Sequence, residues 1–387
     1  MRTLSEGMLN ALGGSVPDAR LTVAAWYDGT LREPELPVST WSVNWDGADN
    51  TLVQGKASIT VADPTGRLAP WGFDEPLSAA GSRLLLTFRC GIEAVDLGWF
   101  AVSDNQPTEQ WRIVGPALQW VSGGASIPVQ ADDLTLLVSD SGFLAPEAPP
   151  VGATVLSEIR RLLTGICPVI IGTGVTDAPV PASIVYKDDG RLAAVQDLAR
   201  VVGARYRMTG NGSLEVYSLT KTAPVWTIAG GDGGALVSLN RKQARADLIN
   251  GVLSTSNDPS MEIRALETIQ AGPLRWDGPF GRKIARHNAI ATTQGGVQAD
   301  ARTYLADTAT LKTVSLTVLC KPHPGIQLGD WVRVAQPTIN GKAYPLDGIV
   351  TSVQLKGSTS GVEPMQISVQ CALADVQAVG LSVRGAA

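Results

Sequence analysis

Two different periods of apolar residues divide the chain. From about residue 20 to 130, hydrophobic and polar side chains alternate in short runs broken by turn residues, the mark of successive half-buried strands. Leu21-Thr22-Val23-Ala24-Ala25-Trp26 runs into Asp28-Gly29, and Ser58-Ile59-Thr60-Val61-Ala62 stops at Asp63-Pro64-Thr65-Gly66, a four-residue turn. Further strands are predicted at 84–88, 98–102 and 111–114. Between about 131 and 240 the period lengthens. Thr154 precedes Val155, Leu156, Ile159, Leu162 and Leu163, one face of a helix that ends at Gly165. Asp188-Asp189 offers a cap for a second helix carrying Leu192, Val195, Leu198 and Val202, with Gly203 as its C′ residue. Arg205-Tyr206-Arg207-Met208, the turn Gly210-Asn211-Gly212 and Leu214-Glu215-Val216-Tyr217 then read as a hairpin.

Strands return after about 245, at 248–255, 314–320, 331–335, 348–355 and 365–372. One helix interrupts them at 297–307, with Ala301, Tyr304 and Leu305 on one side. A faint repeat links the two strand-rich regions. Leu86-Thr87-Phe88-Arg89-Cys90 is followed by Leu97-Gly98-Trp99, and Leu316-Thr317-Val318-Leu319-Cys320 by Leu328-Gly329-Asp330-Trp331. A shared pattern of this kind is what a duplicated domain would leave.

Composition narrows the class. A chain of 387 residues with 44% hydrophobic residues can bury two or three cores, and 41 glycines with 24 prolines suit many strands joined by tight turns. Net charge is −5 and no basic cluster exceeds a few residues, which argues against a nucleic-acid reader and suits a surface that lets DNA pass. Cys90, Cys167, Cys320 and Cys371 are far apart with no C-x-x-C pair, so buried free thiols are expected and a zinc site is not. The segment Met1-Arg2-Thr3-Leu4-Ser5-Glu6 lacks the apolar run of a signal peptide, and no window approaches the roughly 18 apolar residues of a membrane span, so synthesis in the cytoplasm without export is expected.

Chemistry is sparse. There is no G-x-S-x-G elbow, phosphate loop, H-E-x-x-H or calcium loop. The two histidines, His287 and His323, read as surface or turn residues, and the pairs Asp132-Asp133 and Asp188-Asp189 as caps or turns and not as a glycosidase pair. Gly230-Gly231-Asp232-Gly233-Gly234 reads as a hinge. No catalytic, cofactor-binding or metal-ligating residue is assigned. Seven of the ten tryptophans precede residue 121. Core or interface packing is their expected role, with Trp41 and Trp45 as the candidates if this region instead stacked on sugars.

Three pieces in this order resemble the phage tail-hub family, which includes the baseplate hub of contractile phages and the N-terminal part of siphophage tail-associated proteins. The first runs from Val53-Gln54-Gly55 through Asp63-Pro64-Thr65-Gly66 to Pro70, followed by 81–88 and 97–100. The second comprises the helix at 155–163, the stretch 198–203 and the hairpin at 205–217. The third is Asp247-Leu248-Ile249-Asn250-Gly251-Val252 with Leu328-Gly329-Asp330-Trp331-Val332-Arg333-Val334. The resemblance implies a mainly β protein with two tube-type β-barrel domains flanking a small α+β insert. The expected organisation is an N-terminal segment at 1–15, a first barrel at 16–130, the insert at 131–245 and a second barrel at 246–387. It implies a homotrimeric, pseudo-sixfold, non-enzymatic ring at the virion tail tip. Such a ring would join the tail tube or distal tail protein to a central fibre or spike, contact the tape measure protein and pass DNA as cargo. The long C-terminal extension with a peptidase or lysozyme domain, found in many siphophage relatives, is missing, so murein digestion is expected of a separate protein. Two other readings stay open: a distal tail protein with one barrel, forming hexamers, and a tail-tip carbohydrate-binding module or cell-wall hydrolase.

Overall fold

Alternation becomes strand almost wherever the sequence predicts it. The computed structural model describes residues 1–387 except 15–17, 49–50, 117, 181–184, 187–189, 243–244, 246–247, 257–262, 290–292, 309–312, 337–343 and 386–387. Strand makes up 46% of the chain and helix 16%, so the fold is mainly β. A helix α1 (Glu6–Gly13) comes first, its Met8 amide donating to the Ser5 hydroxyl at 3.0 Å. Eight strands follow: β1 (Ala19–Tyr27), β2 (Thr30–Glu33), β3 (Val38–Asp46), β4 (Gly55–Asp63), β5 (Ser82–Cys90), β6 (Glu93–Asn105), β7 (Thr108–Val114) and β8 (Gln119–Asp133).

The α+β region contains α2 (Thr135–Asp140), α3 (Val155–Leu163), β9 (Val169–Ile171), α4 (Arg191–Val201), β10 (Ala204–Met208) and β11 (Leu214–Ser218). Next come β12 (Trp226–Ala229), β13 (Leu236–Lys242), β14 (Gly251–Ser256), β15 (Arg264–Thr268), β16 (Ile284–Ala289) and α5 (Gln294–Thr308). The chain closes with β17 (Thr313–Cys320), β18 (Trp331–Gln336), β19 (Tyr344–Ser358), β20 (Gly361–Val362), β21 (Met365–Ala372) and α6 (Leu373–Gly385).

Fifteen strands share one sheet, in the order β13-β17-β21-β19-β3-β4-β8-β6-β5-β1-β2, with β7 on β8, β18 joining β12 and β19, and β20 on β19. Its central joint is non-local: residues 352–358 of β19 pair antiparallel with residues 40–46 of β3. Along β3 the inward face is Trp41, Val43 and Trp45, all buried. The alternation that marked the strand thus becomes its core face.

Two compact units emerge. The first comprises Met1–Leu239, Val318–Pro337 and Asp347–Val369. Within it, α3 and α4 cover the small sheet β10-β11-β9 over a core of Val155, Ile159, Leu162, Leu192, Val195 and Tyr206. Helix α3 begins where the sequence places it. Thr154 and Ser157 form a reciprocal capping box, with side chain bonded to backbone in both directions. Helix α4 ends in Gly203 at φ +62°, the left-handed position glycine adopts without strain. At the other end of α4, Gly190 is the N-cap residue and provides no side-chain bond, while Asp188-Asp189 lies outside the described residues.

The second unit comprises Asn240–Thr317, Thr338–Leu346 and Gln370–Ala387. Its three-stranded sheet has β14 in the centre, antiparallel to β15 and parallel to β16. Val297, Ala301 and Leu305 of α5 close over Val252, Ala265 and Ala289. Those three helix positions repeat every four residues, one face of the helix.

Candidate functional site

The turn motifs singled out in the sequence prove to be fastenings. Asp63 holds its own turn, accepting from the Thr65 amide at 2.9 Å and the Leu68 amide at 2.6 Å. Burial alone would raise its pKa, but the amide and hydroxyl donors outweigh it and hold the carboxyl below the usual range. Asn250, fully buried, clamps a loop of the second unit: its amide donates to Gly281 O at 2.6 Å and accepts from the Lys283 amide at 2.8 Å. Gly251 beside it leaves room for the ring of Trp276.

The turn Gln327-Leu328-Gly329-Asp330 is the most densely bonded of these. Asp330 accepts from the Gln327 amide at 2.9 Å and from Arg207 at 3.3 Å. Arg207 also donates to Glu215 at 2.8 Å and to the Leu328 carbonyl. Gly329 sits at φ +82° against the Tyr217 ring, where an added Cβ would overlap the ring edge. A polar cross-tie thus fixes the β10–β11 hairpin to the turn before β18. Its polar groups bond to one another, which is structural work.

The two histidines have different settings. His323 does lie in a turn, but it is buried, its ring 4.5 Å from that of Trp226 and tilted 36° to it. Burial lowers its pKa to about 4, so it is neutral at physiological pH. His287 lies on β16, not in a turn, 3.3 Å from Asp300 and stacked 4.2 Å from Tyr304. Ser254 donates to the same Asp300 at 3.0 Å. The carboxylate therefore stands between hydroxyl and imidazole, and Ser254 is fully buried; a nucleophile triad needs the base on the hydroxyl. Asp133 is buried too, accepting from Gly55 N at 2.7 Å and Thr135 N at 3.0 Å, the turn role predicted for it. Among the described residues no three His, Cys, Asp or Glu side chains gather to hold a metal, and no helix is long and apolar enough to cross a membrane. None of the four cysteines is in a disulfide; three are buried and Cys167 is half-buried. The glycine run 230–234 is a hydrogen-bonded turn from β12 to β13, with Gly234 N on Gly231 O at 2.9 Å.

Trp41 and Trp45 take the packing role expected of them and not the sugar-stacking alternative. Trp41 and Trp45 are only 5% and 6% exposed, packed by Gly357 and by the Arg2 guanidinium and Phe100, so neither ring can stack on a sugar. The exposed rings are instead Trp71 and Phe73 in the β4–β5 loop and Trp111 and Trp120 on the β7–β8 hairpin. Ile113 stands directly opposite Trp120, and Trp111 two residues before it shares that face. Leu118 at the tip is 70% exposed and held at φ +50°, an uncommon conformation for leucine. A groove of about 700 Å³ is lined by Trp26, Tyr27, Trp99, Leu134, Leu137 and Ile166, with Asp28, Arg83 and Cys167 also on its walls. Trp26 meets Trp99 edge to face at 5.6 Å, and its indole N–H is buried without an acceptor among the described residues. Sequence reasoning missed both features, because an exposed apolar strand has the same local pattern as a buried one.

No protein-family model and no curated protein matches the sequence. Solved structures do share the fold. The tail protein from Neisseria meningitidis MC58 superposes with a TM-score of 0.60 at 12% identity, covering 90% of this chain and 96% of that one. The 43 kDa tail protein of prophage MuSo2 from Shewanella oneidensis gives 0.59 at 15% identity, covering 90% and 98%. The E. coli c3393 protein gives 0.50 at 10% identity, covering 90% and 76%; it is a type VI secretion component with structural similarity to T4 bacteriophage tail proteins gp27 and gp5.

Proposed function

We propose, from a fold held in common with phage tail and baseplate-hub proteins, that this chain is a structural ring subunit of a phage tail tip, acting as its hub. The observation that carries the reading is coverage: the likeness spans nine-tenths of this chain and almost the whole of two tail proteins. We take the function to be assembly and not catalysis. Three copies, each with tube-type barrels at 16–130 and 246–387 around an insert at 131–245, would present six barrels. A threefold assembly would thereby match a sixfold tube or distal tail ring on one side and a threefold fibre or spike on the other. The tape measure protein and, during ejection, DNA would occupy the lumen. A net charge of −5 without a basic patch supports passage over capture.

Cryo-electron microscopy of the purified protein, and of the intact tail tip, tests this. A three-copy ring with six barrel densities is the expected result. A six-copy ring would move the chain to the distal tail position, and a lone monomer with no place in the tail would overturn both.

A further inference from the structure

We propose that the β7–β8 hairpin of one copy seats in the groove between β1, β6 and α2 of a second copy, as the head-to-tail contact that closes the ring. The inference rests on the ring reading and adds the contacting surfaces to it. Four observations carry it.

The first is apolar area. Trp111, Ile113, Val114, Leu118 and Trp120 are each between 47% and 70% exposed, on the order of 600 Å² of apolar surface on one arm. That is at the upper limit of what a monomer normally leaves bare, and approaches the roughly 800 Å² per partner of a stable interface. The second is shape. The hairpin is a narrow two-stranded arm, since among the described residues β7 pairs only with β8; the groove is concave and of a size to take bulky side chains.

The third is polarity. The hairpin carries Glu109 and Arg112, while the groove walls carry Arg83 and Asp28, opposite signs available to both. The fourth is position. The hairpin tip precedes β8 and the groove residue Leu134 follows it, fifteen strand residues away, so the two stand up to ~50 Å apart along one strand. None of the hairpin's exposed residues lines the groove of its own chain, and a contact between unlike surfaces of identical chains generates a ring or a filament.

Cys167 makes the test direct, because it is a native thiol on the groove wall while Cys90, Cys320 and Cys371 are buried. Leu118→Cys in the full-length protein is treated with copper phenanthroline or a short bismaleimide and run on a non-reducing gel. Cross-linked dimers and trimers are expected, and they should vanish in Leu118→Cys/Cys167→Ser. Independently, Trp120→Ser should shift native mass from ring to monomer with an unchanged circular dichroism spectrum, since the ring lies outside the fold. An intact ring with no cross-link would overturn the docking and leave the ring reading standing. A protein that is monomeric at every concentration would overturn both. A fluorescent label on the thiol of the Leu118→Cys variant, if protected only when another tail protein is added, would assign the hairpin to that protein and also overturn the proposal.

Discussion

Asp133 and His323 give the molecule two buried titrations of opposite sense. Burial lifts the Asp133 carboxyl to about 6 even though Thr135 and Gly55 donate to it, and burial drops His323 to about 4. The folded state thus holds a proton on Asp133 that the unfolded chain has released, so that contribution is whole below about pH 4 and lost as pH rises through about 6. His323 behaves inversely: its contribution is whole above about pH 6.5 and lost as pH falls through about 4. His323→Phe keeps a ring over Trp226 and removes the second effect. Urea unfolding of this variant should then give stability that falls monotonically from pH 4 to pH 6; a profile identical to the parent's would refute the assignment. Gly329 is the sharpest steric site. Gly329→Ala combines a left-handed backbone with a clash on Tyr217, and should cost about 2–4 kcal/mol by chemical denaturation.

At the scale of elements, the fastenings differ in value. Thr154→Ala removes half of a reciprocal capping box on α3 and should cost about 1 kcal/mol, with Ser in its place restoring most of the loss. The Arg207 cross-tie is worth more. Arg207→Met leaves Asp330 and Glu215 facing a site without their shared cation, and should cost about 3–5 kcal/mol, while a double variant Arg207→Met/Asp330→Leu should lose less than the two single changes together. Helices and hairpins were legible because their information is local. Thr154, Gly203 and the turn at 210–212 state their conformations within a few residues, and α3 spans the very residues predicted. Short connectors such as β9 and β20 carry too few residues for a period to show. The four matching residues of the faint repeat, Leu86, Cys90, Leu316 and Cys320, are all buried on strands. The following Leu-Gly pair diverges, since Leu97-Gly98 lies inside β6 while Leu328-Gly329 forms the turn before β18. Exposure of Trp111 and Trp120 was not legible, because the period of a strand says which residues share a face and not whether that face is covered.

For the molecule as a whole, pairing order was the least legible property. Nothing in residues 40–46 announces that their neighbour lies about three hundred residues downstream, since alternation specifies a strand's face and not its partner. The first unit accordingly draws on three separated stretches. A fragment ending at Leu239 would lack β19 and leave one edge of β3 open beside Trp41 and Trp45. It should be aggregated or molten by size-exclusion chromatography and near-ultraviolet circular dichroism; a soluble, cooperatively melting fragment would contradict the ladder.

The β3–β19 ladder also has a temporal side. A ribosome adding about 5–20 residues per second needs on the order of tens of seconds to pass from β3 to β19. Throughout that interval the nascent chain holds Trp41, Val43 and Trp45 on a strand with one edge unfilled. Completion of the sheet thus waits until late in synthesis, and yield in the cell should depend on chaperone supply and translation speed as well as on the final stability of the fold.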